Sequence, residues 1–202
     1  MSTTGSGVRT SREAAKADRR TALLGAASRL FAERGYAGVS IDDLGGAAGV
    51  SGPALYRHFP NKPAVLAAIL IDASDGLLRG GESVVAEHAD APSALAALVR
   101  FHVAFALGNA DVILVQDRDM ASLPDAERHR VRSLQRRYVE VWVGVLAQLH
   151  PHRAEADLRV RAHAAFGLMN STPHSARISG RPPAEAGVRA ALEGMAITAL
   201  RA

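Results

Sequence analysis

The chain has 202 residues and no cysteine, so it can build one large or two small domains and uses neither disulfides nor thiolate metal sites. Apolar residues make up 48%, which excludes a disordered chain; with no signal-peptide pattern and no apolar run near the ~20 residues of a membrane span, a cytoplasmic, membrane-free protein is expected. The net charge of +4 is unevenly placed: residues 1–62 hold nine Lys/Arg against five Asp/Glu, and residues 63–202 hold fifteen of each, so all the excess lies where a phosphate backbone would need it.

The elements are read as nearly all helix, about nine in number. Residues 1–17, Ser/Thr/Gly-rich with Arg9, Arg12 and Lys16, read as a disordered basic arm, either an ordinary terminus or one that touches phosphates or the minor groove. A first helix over 18–35 carries the stripe Leu23, Ala26, Ala27, Leu30 and Phe31, and Gly35 ends it. Ser40 with Asp43 three residues on forms a capping box for a short helix with Ile41, Leu44, Ala47 and Ala48 at helical spacing. Gly49 stops that helix, Ser51 caps the next, and Leu55 and Phe59 face inward while Tyr56, Arg57 and His58 do not. Two short helices about a tight turn are either a helix-turn-helix or a plain helical hairpin in some bundle.

Ala48-Gly49-Val50-Ser51, Leu55-Tyr56-Arg57-His58-Phe59 and Asn61-Lys62, followed by Val65-Leu66, resemble the DNA-binding domain of the TetR/AcrR family of bacterial regulators, over roughly residues 19–70. Leu44-Gly45-Gly46 and Gly52-Pro53-Ala54 depart from the family's usual residues, and two adjacent helix glycines should each cost about 1 kcal/mol relative to Ala. The resemblance implies an all-α chain: a helix-turn-helix domain over 18–62, then a ligand-binding and dimerisation domain over 63–202. It implies DNA contact by Ser40, Ser51, Gly52, Pro53, Ala54, Tyr56, Arg57, His58 and Lys62. Within that set Tyr56 and Lys62 match phosphate-contacting positions, and Arg57 alone can grip a guanine by two hydrogen bonds.

Beyond the motif, Asn61 caps a helix from Lys62-Pro63 to about Leu78, broken by Gly80-Gly81, with a short helical piece over 82–89. Ser93 is read as the cap of a helix over 93–108, with further helices over 111–121, 124–149 and 154–171. Asn170 to His174 and then Ser179-Gly180 mark a loop, and a last helix runs from Pro182-Pro183 to the end.

Catalysis finds no site: His-Glu-x-x-His and Gly-x-Ser-x-Gly are missing, and no metal or cofactor is expected. His102, between Val99 and Phe105 on an apolar face, is either a satisfied core histidine or a polar handle in a ligand pocket. An effector pocket lined by Phe101, His102, Phe105, Met120, Tyr138, Trp142 and Met169 is expected, suited to an apolar or amphipathic ligand. Asp117-Arg118-Asp119 is either a solvated charge run or a link between ligand and DNA-binding parts. The last two helices carry small residues and apolar stripes; Ala162, Phe166, Gly167, Val188, Ala191, Leu192 and Met195 are either internal packing or, as the resemblance implies, a homodimer interface. The expectation is a transcriptional regulator, a repressor released from a palindromic double-stranded operator by a small-molecule effector; the alternative is an effector-independent architectural DNA-binding protein.

Overall fold

The computed structural model describes residues 11–49, 55–175 and 184–202. Eight α-helices lie among them: α1 (Ser11–Arg34), α2 (Ile41–Ala47), α3 (Lys62–Ala86), α4 (Ala91–Gly108), α5 (Ala110–Asp119), α6 (Asp125–Leu149), α7 (Glu155–Ser175) and α8 (Glu185–Arg201). A single 3-10 turn, Met120–Ser122, links α5 to α6, and among the described residues there is no strand.

Helix ends follow local chemistry. Ser40 and Asp43 form the full capping box of α2: Ser40 Oγ accepts from the Asp43 amide, and the Asp43 carboxylate accepts from the Ser40 amide at 2.8 Å. Those bonds to Ser40 hold the Asp43 carboxyl below the usual carboxylate range. Gly35 and Gly49 take φ of +77° and +66°, the left-handed conformation that terminates a helix cheaply only at glycine. Asn61 caps α3 through a 2.9 Å bond to the Ala64 amide, as expected.

Four boundaries differ from the sequence reading. Residues 11–17, assigned to the arm, are the first turns of α1; residues 1–10 lie outside the described residues. Helix α3 does not break at Gly80-Gly81 but runs to Ala86. A Cβ at Gly80 would lie 2.3 Å from Phe101 Cζ, and one at Gly81 would lie 2.6 Å from Tyr138 Cε2, so these glycines let α3 approach α4 and α6 rather than stop it. Asp90, not Ser93, caps α4, its carboxylate accepting from the Ser93 amide at 2.8 Å. The first part of the loop expected from 170 is helical, α7 continuing to Ser175; its second part, Ser179-Gly180, and the expected helix start at Pro182-Pro183 lie outside the described residues.

Two apolar cores form. The first joins Leu23, Phe31, Leu44, Leu55 and Phe59 to Val65, Leu66 and Leu70 of α3, and reaches Val115 and Val131. The second joins Leu78 of α3 to α4, α6, α7 and α8 around Leu98, Trp142, Leu146 and Met169. Helix α3 therefore belongs to both cores, and the first is not confined to residues 18–62. Helix α4 is long and apolar enough, by length and composition alone, to cross a membrane, yet half of it is buried here against neighbouring helices. The expectation of no such apolar run is corrected to that extent.

Candidate functional site

In the described part of the expected helix-turn-helix, residues 55–59 divide by polarity. Leu55 and Phe59 are buried, and Tyr56, Arg57 and His58 are exposed, with Tyr56 at 51%. Ser51, Gly52, Pro53 and Ala54 lie outside the described residues. Two expected DNA contacts are engaged elsewhere. Ser40 gives its hydroxyl to the capping box. Lys62 turns inward: its Nζ donates to the carbonyls of Tyr36 at 2.9 Å and Val39 at 2.8 Å, and sits 4.3 Å from the Tyr36 ring centroid. That cation ties the start of α3 to the segment joining α1 and α2, with one ammonium proton left over.

Beside the second core lies a cavity of about 230 Å³, partly open to solvent at the exposed His163 and lined by Ser74, Leu77, His102, Gln116, Gln135, Tyr138, Val139, His163, Phe166 and Asn170. His102 is 3% exposed, and its ring lies 3.1 Å by Nδ1 from the Tyr138 hydroxyl and 3.1 Å by Nε2 from Asn170 Oδ1. An amide oxygen only accepts, so Nε2 carries the proton and Nδ1 accepts from the tyrosine. One donor and one acceptor satisfy a neutral imidazole, and burial drives the His102 pKa down to about 4. Burial likewise pushes the Tyr138 phenol up. Phe166 packs 4.8 Å from the His102 ring and stacks on Tyr138 at 5.6 Å; Trp142 meets both rings edge-on. Two buried polar atoms among the described residues lack a hydrogen-bond partner: Ser74 Oγ and Trp142 Nε1.

The expected pocket residues separate. His102 and Tyr138 line this cavity, with Trp142 buried in the aromatic cluster behind it. Phe101 and Phe105 instead line an open cleft of about 530 Å³ between α1, α3, α4 and α5. Met169 is fully buried in the second core, and Met120 packs against the first. Reading each stripe as a single inward face merged two cavities into one. Ser74, Gln116, Gln135 and Asn170 went unnoticed, although Ser74, four residues from both Leu70 and Leu78, stands out as a hydroxyl on an apolar stripe.

Arg118 resolves the charge run. Its guanidinium donates to the carbonyls of Phe31 and Ala32 at the end of α1, the latter at 3.2 Å, and pairs with Asp119 at 2.9 Å. Asp119 is 8% exposed, and its hydrogen bonds hold the Arg118 pKa above the ordinary value. A cation at a helix C-terminus is favoured by the helix dipole.

The proposed interface residues divide by exposure. Gly167, Ala191 and Met195 are exposed, Met195 at 57%, and Val188 is half-buried; Val160 of α7, outside the expected set, is 67% exposed. Ala162 and Leu192 are buried inside the chain, and Phe166 belongs to the cavity cluster; the small stripes of α7 and α8 pack against one another as well as outward.

Two family models match: "Bacterial regulatory proteins, tetR family" over residues 23–69, and "Tetracyclin repressor-like, C-terminal domain" over residues 88–191. The chain belongs to the TetR family. Among TetR-family relatives, the HTH-type transcriptional repressor KstR2 of Rhodococcus jostii (strain RHA1) is 33% identical over 65% of each chain, a little under two thirds of its length. The HTH-type transcriptional activator FasR of Mycolicibacterium smegmatis is 43% identical over 31% of this chain and 29% of its own. The solved structure of the TetR-family regulator PfmR from Thermus thermophilus superposes with a TM-score of 0.73 at 26% identity, covering 87% of this chain and 97% of that one. All-helical architecture with an N-terminal helix-turn-helix and a helical C-terminal part is thus the family's build.

Proposed function

We propose that the protein is a homodimeric, DNA-binding transcriptional repressor, released from a palindromic operator when a small molecule occupies the His102 cavity. The observation that carries this reading is the double duty of α5. Gln116 lines the cavity, and two residues on Arg118 grips the last carbonyls of α1. A ligand that shifts α5 therefore moves the helix-turn-helix, because the shift must either break the Arg118 bonds or carry α1 along. It releases DNA only by binding the displaced arrangement better than the DNA-bound one. DNA contact falls to the exposed Tyr56, Arg57 and His58, to Ser51, Gly52, Pro53 and Ala54 by family resemblance, and to the spare proton of Lys62. The repressor KstR2 supports repression.

The test is release. A duplex selected from random sequence by the purified protein is followed by fluorescence anisotropy while a metabolite collection is added. At least one compound that raises Tm should also displace the duplex, and Arg118→Met should keep DNA binding while weakening the displacement. A duplex that no stabilising compound displaces would place the chain with effector-independent DNA-binding proteins.

A further inference from the structure

We infer that the effector is a compact, uncharged molecule bearing a hydrogen-bond-accepting oxygen, anchored by the Ser74 hydroxyl and the Asn170 amide. This rests on the reading of the His102 cavity as the effector site. None of the ten residues lining the cavity is Asp, Glu, Lys or Arg. An ion seated among these ten residues would give up part of its hydration and meet no acidic or basic side chain in the wall, a cost that a neutral molecule does not bear; the arginines Arg132, Arg136 and Arg159 line the neighbouring cleft, beyond Gln135, Val139 and His163. The buried His102 supplies none, because its two bonds fix it as a neutral imidazole, and the other histidine of the wall, His163, lies exposed at the cavity's open side.

The vacant hydrogen-bonding capacity points to the ligand's polarity. Ser74 is 3% exposed, its Oγ has no partner, and it lies in the cavity wall. A buried hydroxyl left unpaired is a standing cost to the fold, and helical serines commonly avoid it by bonding a carbonyl one turn back. Asn170 gives its amide oxygen to His102, which leaves its NH₂ group as a donor in the same wall. Two donors thus face a space of about 230 Å³, which holds roughly eight waters at liquid density, or about a dozen linked non-hydrogen atoms.

Probes of one size and differing polarity test this: acetophenone, benzamide, ethylbenzene, benzoate and benzylamine, compared by thermal shift and titration calorimetry. Acetophenone and benzamide should bind, with ethylbenzene about tenfold weaker for want of one hydrogen bond and the two ions weaker still. Ser74→Ala should melt at the same temperature or higher without ligand, yet lose the tenfold preference for acetophenone over ethylbenzene. A purely structural serine would instead melt lower with the preference intact. The inference is overturned by charged probes that bind as well as neutral ones, by no binding of any neutral probe, or by an unchanged preference in Ser74→Ala. The two readings fail separately: neutral probes that bind without weakening the DNA complex sink the effector role alone, whereas DNA release by long anionic amphiphiles only sinks the uncharged ligand alone.

Discussion

His102 shows how one buried titratable residue ties the fold to pH. Its neighbours across α6 and α7 are Tyr138, Trp142, Phe166 and Asn170, none of them charged at neutral pH, so nothing compensates a proton on the ring. The folded pKa of about 4 lies below the ordinary 6.5, so the unfolded chain binds the extra proton between those values. Stability from this site is complete above pH 6.5 and is lost as pH falls toward 4, by about 3 kcal/mol in all. Urea midpoints at pH 7 and pH 4.5 should fall more steeply for the wild type than for His102→Phe; equal slopes would mean that the buried ring accepts its proton freely. Of the two readings of His102 left open by the sequence, the structure shows the hydrogen-bonded core residue, and its place in the cavity wall is what the proposed function uses. Periodicity placed it inward but could not name Asn170 as its partner, 68 residues away.

Lys62 adds a structural role to the sequence reading at the same scale. Family resemblance assigns it to DNA, and the structure assigns two of its protons to buried-side carbonyls of Tyr36 and Val39. Lys62→Met should therefore lower stability by about 1–3 kcal/mol, beyond any loss of DNA affinity. A variant as stable as the wild type in urea would return Lys62 to a role in DNA contact only.

Among the helices, glycine carried two meanings that sequence alone did not separate. At Gly80 and Gly81 it admits the rings of Phe101 and Tyr138, and α3 passes straight through. At Gly76, one turn earlier on the same helix, a Cβ would meet nothing within 4 Å. Gly76→Ala should then gain up to about 1 kcal/mol of helix propensity. Gly81→Ala should lose about 1–3 kcal/mol, because the ring it meets is held by the core. Thermal unfolding of the pair measures both signs, and a stabilised Gly81→Ala would remove the close-packing account. Helix identity was legible almost everywhere because apolar stripes at 3.6-residue spacing are long and strong. Ends were less so, since a Gly pair, a Pro in a helix such as Pro173, and the choice between Asp90 and Ser93 as cap are decided by tertiary neighbours and by which carboxylate reaches an amide.

For the whole molecule, the division of labour was readable before any coordinates: excess charge and the helix-turn-helix grammar at one end, neutral helices at the other. The sharing of α3 between both cores and the Arg118 tie were not, because they depend on contacts between residues far apart in sequence. Val160, Gly167, Ala191 and Met195, exposed on α7 and α8, are the residues proposed for self-association. Light scattering at micromolar concentration should give twice the 21.2 kDa chain mass, and Ala191→Glu should halve it while leaving the fold intact. Leu192→Glu, at a residue buried within the chain, should unfold the protein instead. A monomeric wild type would contradict the dimer.

Sequence-selective DNA binding by that dimer is the central claim, and sequencing the duplexes that the purified protein retains from a random pool tests it most directly. The account predicts one palindromic motif, its half-sites about 10 base pairs apart centre to centre or a multiple of that, with preference relaxed at one base pair per half-site in Arg57→Ala. A pool that keeps no common motif, held only by a salt-sensitive attraction shared by all sequences, would contradict it.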